Sequence, residues 1–117
     1  MDGTRARELV ARERARIEVS LRRLNLDLTD EAALHQQQTG EAYEAGTDLE
    51  REEVDIALVA DLREELKAVE RAEARIAAGT YGRSIESGAT IPDDRLEAAP
   101  LAERTIAEQR RLEDGTA

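Results

Sequence analysis

The 117-residue chain contains no cysteine, tryptophan or phenylalanine, and only two tyrosines, Tyr43 and Tyr81. Without cysteine, disulfides and thiolate metal sites are excluded. Without large aromatics a wide globular core is excluded as well, and aliphatic and alanine contacts must do the packing. His35 is the only histidine and Lys67 the only lysine. A Ser–His–Asp set needs partners that one histidine in a polar stretch does not have, and there is no second metal-ligating imidazole. The expectation is a protein that is not an enzyme and carries no metal or other cofactor. No apolar run approaches the roughly 18 residues of a membrane span, and the N-terminus lacks the apolar segment of a signal peptide. A cytoplasmic location with no membrane partner is therefore expected.

What the chain does have is charge and short aliphatics. Charged residues make up 38% and hydrophobic ones 40%, a balance suited to long exposed helices. The net charge of −10 argues against direct nucleic-acid binding, which draws its affinity from cations that displace counterions.

Two segments carry a heptad stripe. The first runs through Val10, Arg14, Ile17, Leu21, Leu24 and Leu28, the second through Val59, Leu62, Leu66, Val69, Glu73 and Ile76. Such a seam needs a partner helix. If the two face each other antiparallel, opposed residues have position numbers adding to 86 or 87: Val10 with Ile76, Ile17 with Val69, Leu24 with Leu62, Leu21 with Leu66, Leu28 with Val59. In the same register the one charged exception in each seam, Arg14 and Glu73, falls opposite the other with the opposite sign. The bend must then lie near residue 43, where Gly40 and Gly46 can break a helix. The predicted fold is mainly α, a long antiparallel hairpin over residues 1–79 with its tip near 40–47, and a monomer. An intermolecular coiled coil is the competing arrangement.

Gly79 is placed to end the second helix. Beyond it the stretch GTYGRSIESGATIPDDRLEAAP, residues 79–100, reads as turn-rich and non-periodic, followed by an amphipathic stretch from Leu101 to Glu113. Ser84 and Ser87 are followed, after 17 intervening residues, by Thr105 and Glu108. The frame S-x2-S-x17-T-x2-E has the spacing of a four-cysteine zinc site with every thiolate replaced. Neutral hydroxyls and one carboxylate make a poor zinc set. Something else must hold this end together. The expectation is an apolar cluster of Tyr81, Ile85 and Ile106, with Ser84 and Ser87 as turn residues and Arg95 and Glu97 as a structural pair.

The run GTYGRS–x2–SG–x2–IP–x2–RLEA–x–P, placed after a helical hairpin, resembles the DksA/TraR family of zinc-finger regulators, in a form lacking all four zinc cysteines. The resemblance implies a small, degenerate zinc-ribbon-like end over residues 80–117 with a C-terminal helix. It implies a non-enzymatic regulator that binds bacterial RNA polymerase and inserts its hairpin tip into the secondary channel. The family's acidic tip motif aligns with Glu41, Ala42, Tyr43, Glu44, Ala45 and Gly46, so that Glu41, Tyr43, Glu44, Ala45 and Gly46 become the expected polymerase contacts. The basic residues through which some members answer guanosine tetraphosphate align with Ala68, Ala99 and Gln109, none of which is a cation, and no such response is expected. The alternative is a structural or interaction protein that keeps the scaffold and binds another partner or itself.

Overall fold

The computed structural model describes the backbone of residues 1–37 and 45–115, and the side chains of residues 1–24 and 53–115. Two long helices, α1 (Gly3–Gln37) and α2 (Ala45–Ala78), are followed by two short ones, α3 (Asp93–Ala98) and α4 (Ile106–Glu113). The protein is mainly α, a helical hairpin with a small end built of turns and short helices. Residues 38–44, with Glu41, Tyr43, Glu44 and the expected bend, lie outside the described residues. Ala45 and Gly46 open α2, so Gly46 does not break the helix as its residue type suggested.

The chain divides into two compact units. The first comprises Met1–Arg14 and Ala68–Ala117. Its core takes Ala6, Leu9 and Val10 from α1, Val69 and Ala72 from α2, and Ile91 and Leu96 from the turn-rich end, all buried. The register device is present here. The Arg14 guanidinium donates to both carboxylate oxygens of Glu73, Nε to Oε2 at 2.9 Å and Nη2 to Oε1 at 2.6 Å. This fork holds the Glu73 carboxyl below its ordinary range. Arg14 and Glu73 are a third to two-fifths exposed, so solvent screens the pair and its worth is register more than stability.

The second unit spans Ala15–Lys67. Ile17 and Val59 are buried in it, while Leu21, Leu24, Leu62 and Leu66 are half-buried. Arg16 reaches Glu65 at 3.6 Å.

α2 ends as its sequence dictates. The Thr80 amide donates to the Arg75 carbonyl at 2.9 Å and the Gly79 amide to that of Ile76 at 3.2 Å. This double bond pattern is a Schellman stop, and it needs Gly79 in the left-handed region, at φ 75°. The turn-rich stretch folds back on itself around an isolated antiparallel bridge between Arg83 and Thr90. It is less irregular than its composition suggested. Pro92 supplies a φ of −59° at the entry to α3, and Asp93 and Asp94 place negative charge in its first turn. The last helix starts at Ile106 instead of Leu101, because Thr105 caps it.

Candidate functional site

Two regions can carry function. One is the hairpin tip expected around residues 41–46, the other the small end where the spacing of a zinc site carries no thiolates. The structure brings Ser84, Ser87, Thr105 and Glu108 together, and Glu108 is the centre. Its side chain is only 5% exposed. The hydroxyls of Ser84 and Ser87 lie beside its carboxylate and favour its charged form, and the Thr105 amide donates to Oε1 at 2.9 Å. In return Thr105 Oγ1 accepts the Glu108 amide at 3.3 Å, which completes a capping box at the start of α4. With so many donors aimed at it, and the Ser84 hydroxyl first among them, the Glu108 carboxyl is held down to about 2.

The serines are themselves fixed by the backbone. Ser84 Oγ accepts the amides of Glu86 at 3.1 Å and Ser87 at 3.3 Å, and Ser87 Oγ accepts that of Ala89 at 3.2 Å. Each hydroxyl thus accepts from a turn amide, and its one proton stays available to the Glu108 carboxylate beside it. This donor set does not fit zinc. The hydroxyls are neutral, their lone pairs face amides, and a single carboxylate offers one charge where a structural zinc takes several soft donors. Among the described residues no cluster of three or more His, Cys, Asp or Glu is placed to hold a metal ion.

The expected apolar cluster does not form. Ile85 is 51% and Ile106 46% exposed, because each follows a residue whose side chain turns into the polar knot and is itself carried outward. The apolar core of this end is Ile91 and Leu96. Tyr81 is half-buried and donates its hydroxyl to the Pro100 carbonyl at 2.7 Å. Burial pushes its phenol up.

Three ionic clamps surround the knot. Glu103 accepts from Arg71 at 3.0 and 3.1 Å and from Arg75 at 2.9 Å. Its own carbonyl accepts the Ile85 amide at 2.9 Å. Burial alone would push the Glu103 carboxyl up, but the two guanidinium groups outweigh it and hold it below its ordinary range. Arg104 reaches Glu86 at 2.8 Å. Both carboxylate oxygens of Glu97 accept from Arg5, Oε1 from Nε at 2.8 Å and Oε2 from Nη2 at 2.7 Å. Arg95 and Glu97 therefore do not pair with each other. Arg95 instead donates from Nε to the Arg104 carbonyl at 3.0 Å, and both side chains are structural ties to different elements.

The residues aligned with the nucleotide-responsive positions, Ala68, Ala99 and Gln109, offer no cation. At the hairpin end, Ala45 and Gly46 lie in the first turn of α2, while Glu41, Tyr43 and Glu44 lie outside the described residues. No helix among the described residues is long and apolar enough to cross a membrane.

Comparison with known proteins places this fold. No family model matches the chain. Among curated proteins it is 44% identical over 52 residues to General stress protein 16O of Bacillus subtilis, which is 44% of this chain and 32% of that one. It is 47% identical over 62 residues to the uncharacterized protein YteA of the same organism, 53% of this chain and 26% of that one. The chain thus spans a third or less of the curated relatives it matches. Among solved structures, the transcription factor DksA2 from Pseudomonas aeruginosa superposes with a TM-score of 0.82, over 97% of this chain and 84% of that one, at 22% sequence identity. The protein has the fold of DksA2.

Proposed function

We propose that this protein is a DksA/TraR-type regulator of transcription, not an enzyme, that binds bacterial RNA polymerase and presents residues 41–46 through the secondary channel. The observation that carries this reading is the DksA2 fold, matched over nearly the whole chain. The GTYG turn and the RLEA helix support it, since both occupy structural positions that the motif register requires: the Schellman stop at Gly79 and α3 with the buried Leu96. One curated relative bears the name of a general stress protein, which suits a regulator. In this reading Glu41 and Glu44 supply two carboxylates on a narrow rod, able to approach cations that a broad surface cannot reach. Tyr43 adds a contact between them. The small end is held by its oxygen knot without a metal, and the protein works as a cytoplasmic monomer.

The test is retention on immobilised core polymerase, with an in vitro transcription assay beside it. The wild-type chain is expected to be retained and to change transcript yield. Glu41→Ala with Glu44→Ala is expected to abolish the effect on yield. A chain that does not bind polymerase would leave the second reading, a scaffold turned to another partner or to itself.

A further inference from the structure

The base of the hairpin has two unequal flanks. On one, Leu9 of α1 and Ala72 of α2 are buried and share a core with Ile91 and Leu96 of the turn-rich end. On the other lies an open groove of about 590 Å³, lined by Arg7, Val10, Ala11, Glu73, Ile76 and Ala77. A helix turns by about 100° per residue. With the buried Val10 and Ile17 of α1, and Val59 and Val69 of α2, taken as inward, Leu9 and Ala72 point about 90–100° to one side. Arg7 and Ala11 of α1, and Glu70 and Ala74 of α2, point about 60–110° to the other. All four are exposed.

Two charges on this open flank have no ionic partner among the described residues. Arg7 donates to the Thr4 hydroxyl at 3.3 Å and meets no carboxylate, and Glu70 meets no cation. The Arg14–Glu73 fork between them is already closed. With its two cations balanced by two carboxylates, the flank offers little to a nucleic acid or an anionic membrane. The spacing of the two open charges selects a different partner. In the hairpin register, Glu70 lies roughly 14 Å along the axis from Arg7, on the other helix. A two-fold axis through the middle of the flank therefore sets Arg7 of each copy over Glu70 of the other. Position 70 is 63 beyond position 7, and position 74 is 63 beyond position 11, so the same operation brings Ala11 onto Ala74 of the second copy. That difference is a whole number of heptads, and the facing rows stay in phase. The two short side chains at the axis let the helices approach closely. A second copy carries the required complement by symmetry, one cation and one carboxylate at this spacing. The net charge of −10 opposes pairing, but it is screened beyond about 8 Å at physiological ionic strength.

We propose that the free protein pairs with a second copy of itself through this flank, face to face about a two-fold axis beside Ala11 and Ala74, with reciprocal Arg7–Glu70 ion pairs at its two edges. The pair covers the groove that the turn-rich end leaves open. The proposal goes beyond the polymerase reading, in which a single copy works, and does not rest on it.

The closing experiment is sedimentation equilibrium of the full chain at physiological salt, from micromolar to millimolar concentration. The mass is expected to rise from one chain toward two and to stop there, because a two-fold face closes on itself. Arg7→Glu and Glu70→Arg each place two like-charged contacts in the pair and are expected to weaken it at least about tenfold. Glu70→Arg also lowers the net negative charge, so a weaker pair there separates this contact from overall repulsion. Mixed in equal amounts, the two variants are expected to pair with each other, since every edge contact is then of opposite sign. Combined in one chain, they are expected to restore self-pairing. Both positions are exposed, so circular dichroism should show unchanged helicity. A mass that stays at one chain, or climbs past two, would overturn the pair. Reversals without effect, or a mixture that stays unpaired, would overturn the assigned face. Polymerase takes no part in the experiment, so the pair and the function proposed above stand or fall separately.

Discussion

Glu108 joins two constructions that a single residue seldom shares. It is the third residue of α4, closing the capping box with Thr105, and its charge is the one that the neighbouring Ser84 and Ser87 hydroxyls favour. Replacing it with glutamine keeps the volume but exchanges one acceptor oxygen for an NH2 group, which meets donors. Glu108→Gln is therefore expected to lower the melting temperature clearly, whereas Ile85→Ala and Ile106→Ala, at exposed sites, should leave it nearly unchanged. Thr105→Ala removes only the cap and should cost about 1 kcal/mol, read from denaturant unfolding. The pH dependence has a definite sign. The folded carboxyl is held at about 2 against an ordinary 4.5, so the charged form favours the fold. Its contribution is complete above the ordinary carboxyl range and is lost as pH falls from there toward 2. Glu73, Glu97 and Glu103 are lowered too and act in the same direction. Melting curves between neutral pH and pH 2 should show a falling stability whose slope is smaller, not zero, in Glu108→Gln. The spacing of this knot was legible in the sequence as an emptied zinc frame. Its chemistry was not. T-x-x-E is also a capping signature, but the placing of the Ser84 and Ser87 hydroxyls beside its carboxylate is set by turn geometry that no spacing encodes.

Among the elements, the hairpin was the most legible, because its period repeats over several heptads and its two charged exceptions oppose each other. The Arg14–Glu73 fork shows that the register arithmetic holds in the first unit. Each single reversal, Arg14→Glu or Glu73→Arg, should cost about 0.5–1 kcal/mol in chemical unfolding, and the double exchange should recover most of it. Gly79 is a second element-level device. A methyl group there would meet open space, so Gly79→Ala is opposed only by the left-handed backbone, at roughly 1–2 kcal/mol. α3 was hidden for a physical reason: six residues cannot show a helical period. Its signals were Pro92 followed by two acidic residues, and the buried Leu96 confirms which face turns inward. The apolar stripe of α4 misled, since Ile106 and Leu112 are both about half exposed. Here polar bonds to Glu108, not aliphatic burial, seat the helix.

At the scale of the whole molecule, the donor set of the small end does not suit a metal, and its polar ties surround an apolar core of Ile91 and Leu96. Excess chelator should leave its melting temperature unchanged, and so should hydrogen peroxide at levels that oxidise zinc-bound thiolates. A drop with chelator, measured by scanning calorimetry, would mean that a metal contributes after all. The Arg5–Glu97 grip has a consequence in time. Its partners are 92 positions apart, and the knot joins residue 84 to residue 108. During synthesis the first turns of the chain leave the ribosome long before anything exists for them to hold. The long helices can begin to pair while translation continues, but the small end can close only when residue 108 has emerged. A nascent chain stalled before position 97 would keep Arg5 unclamped and Ser84 without its acceptor, and proteases should cut such a chain at its start far faster than the finished protein.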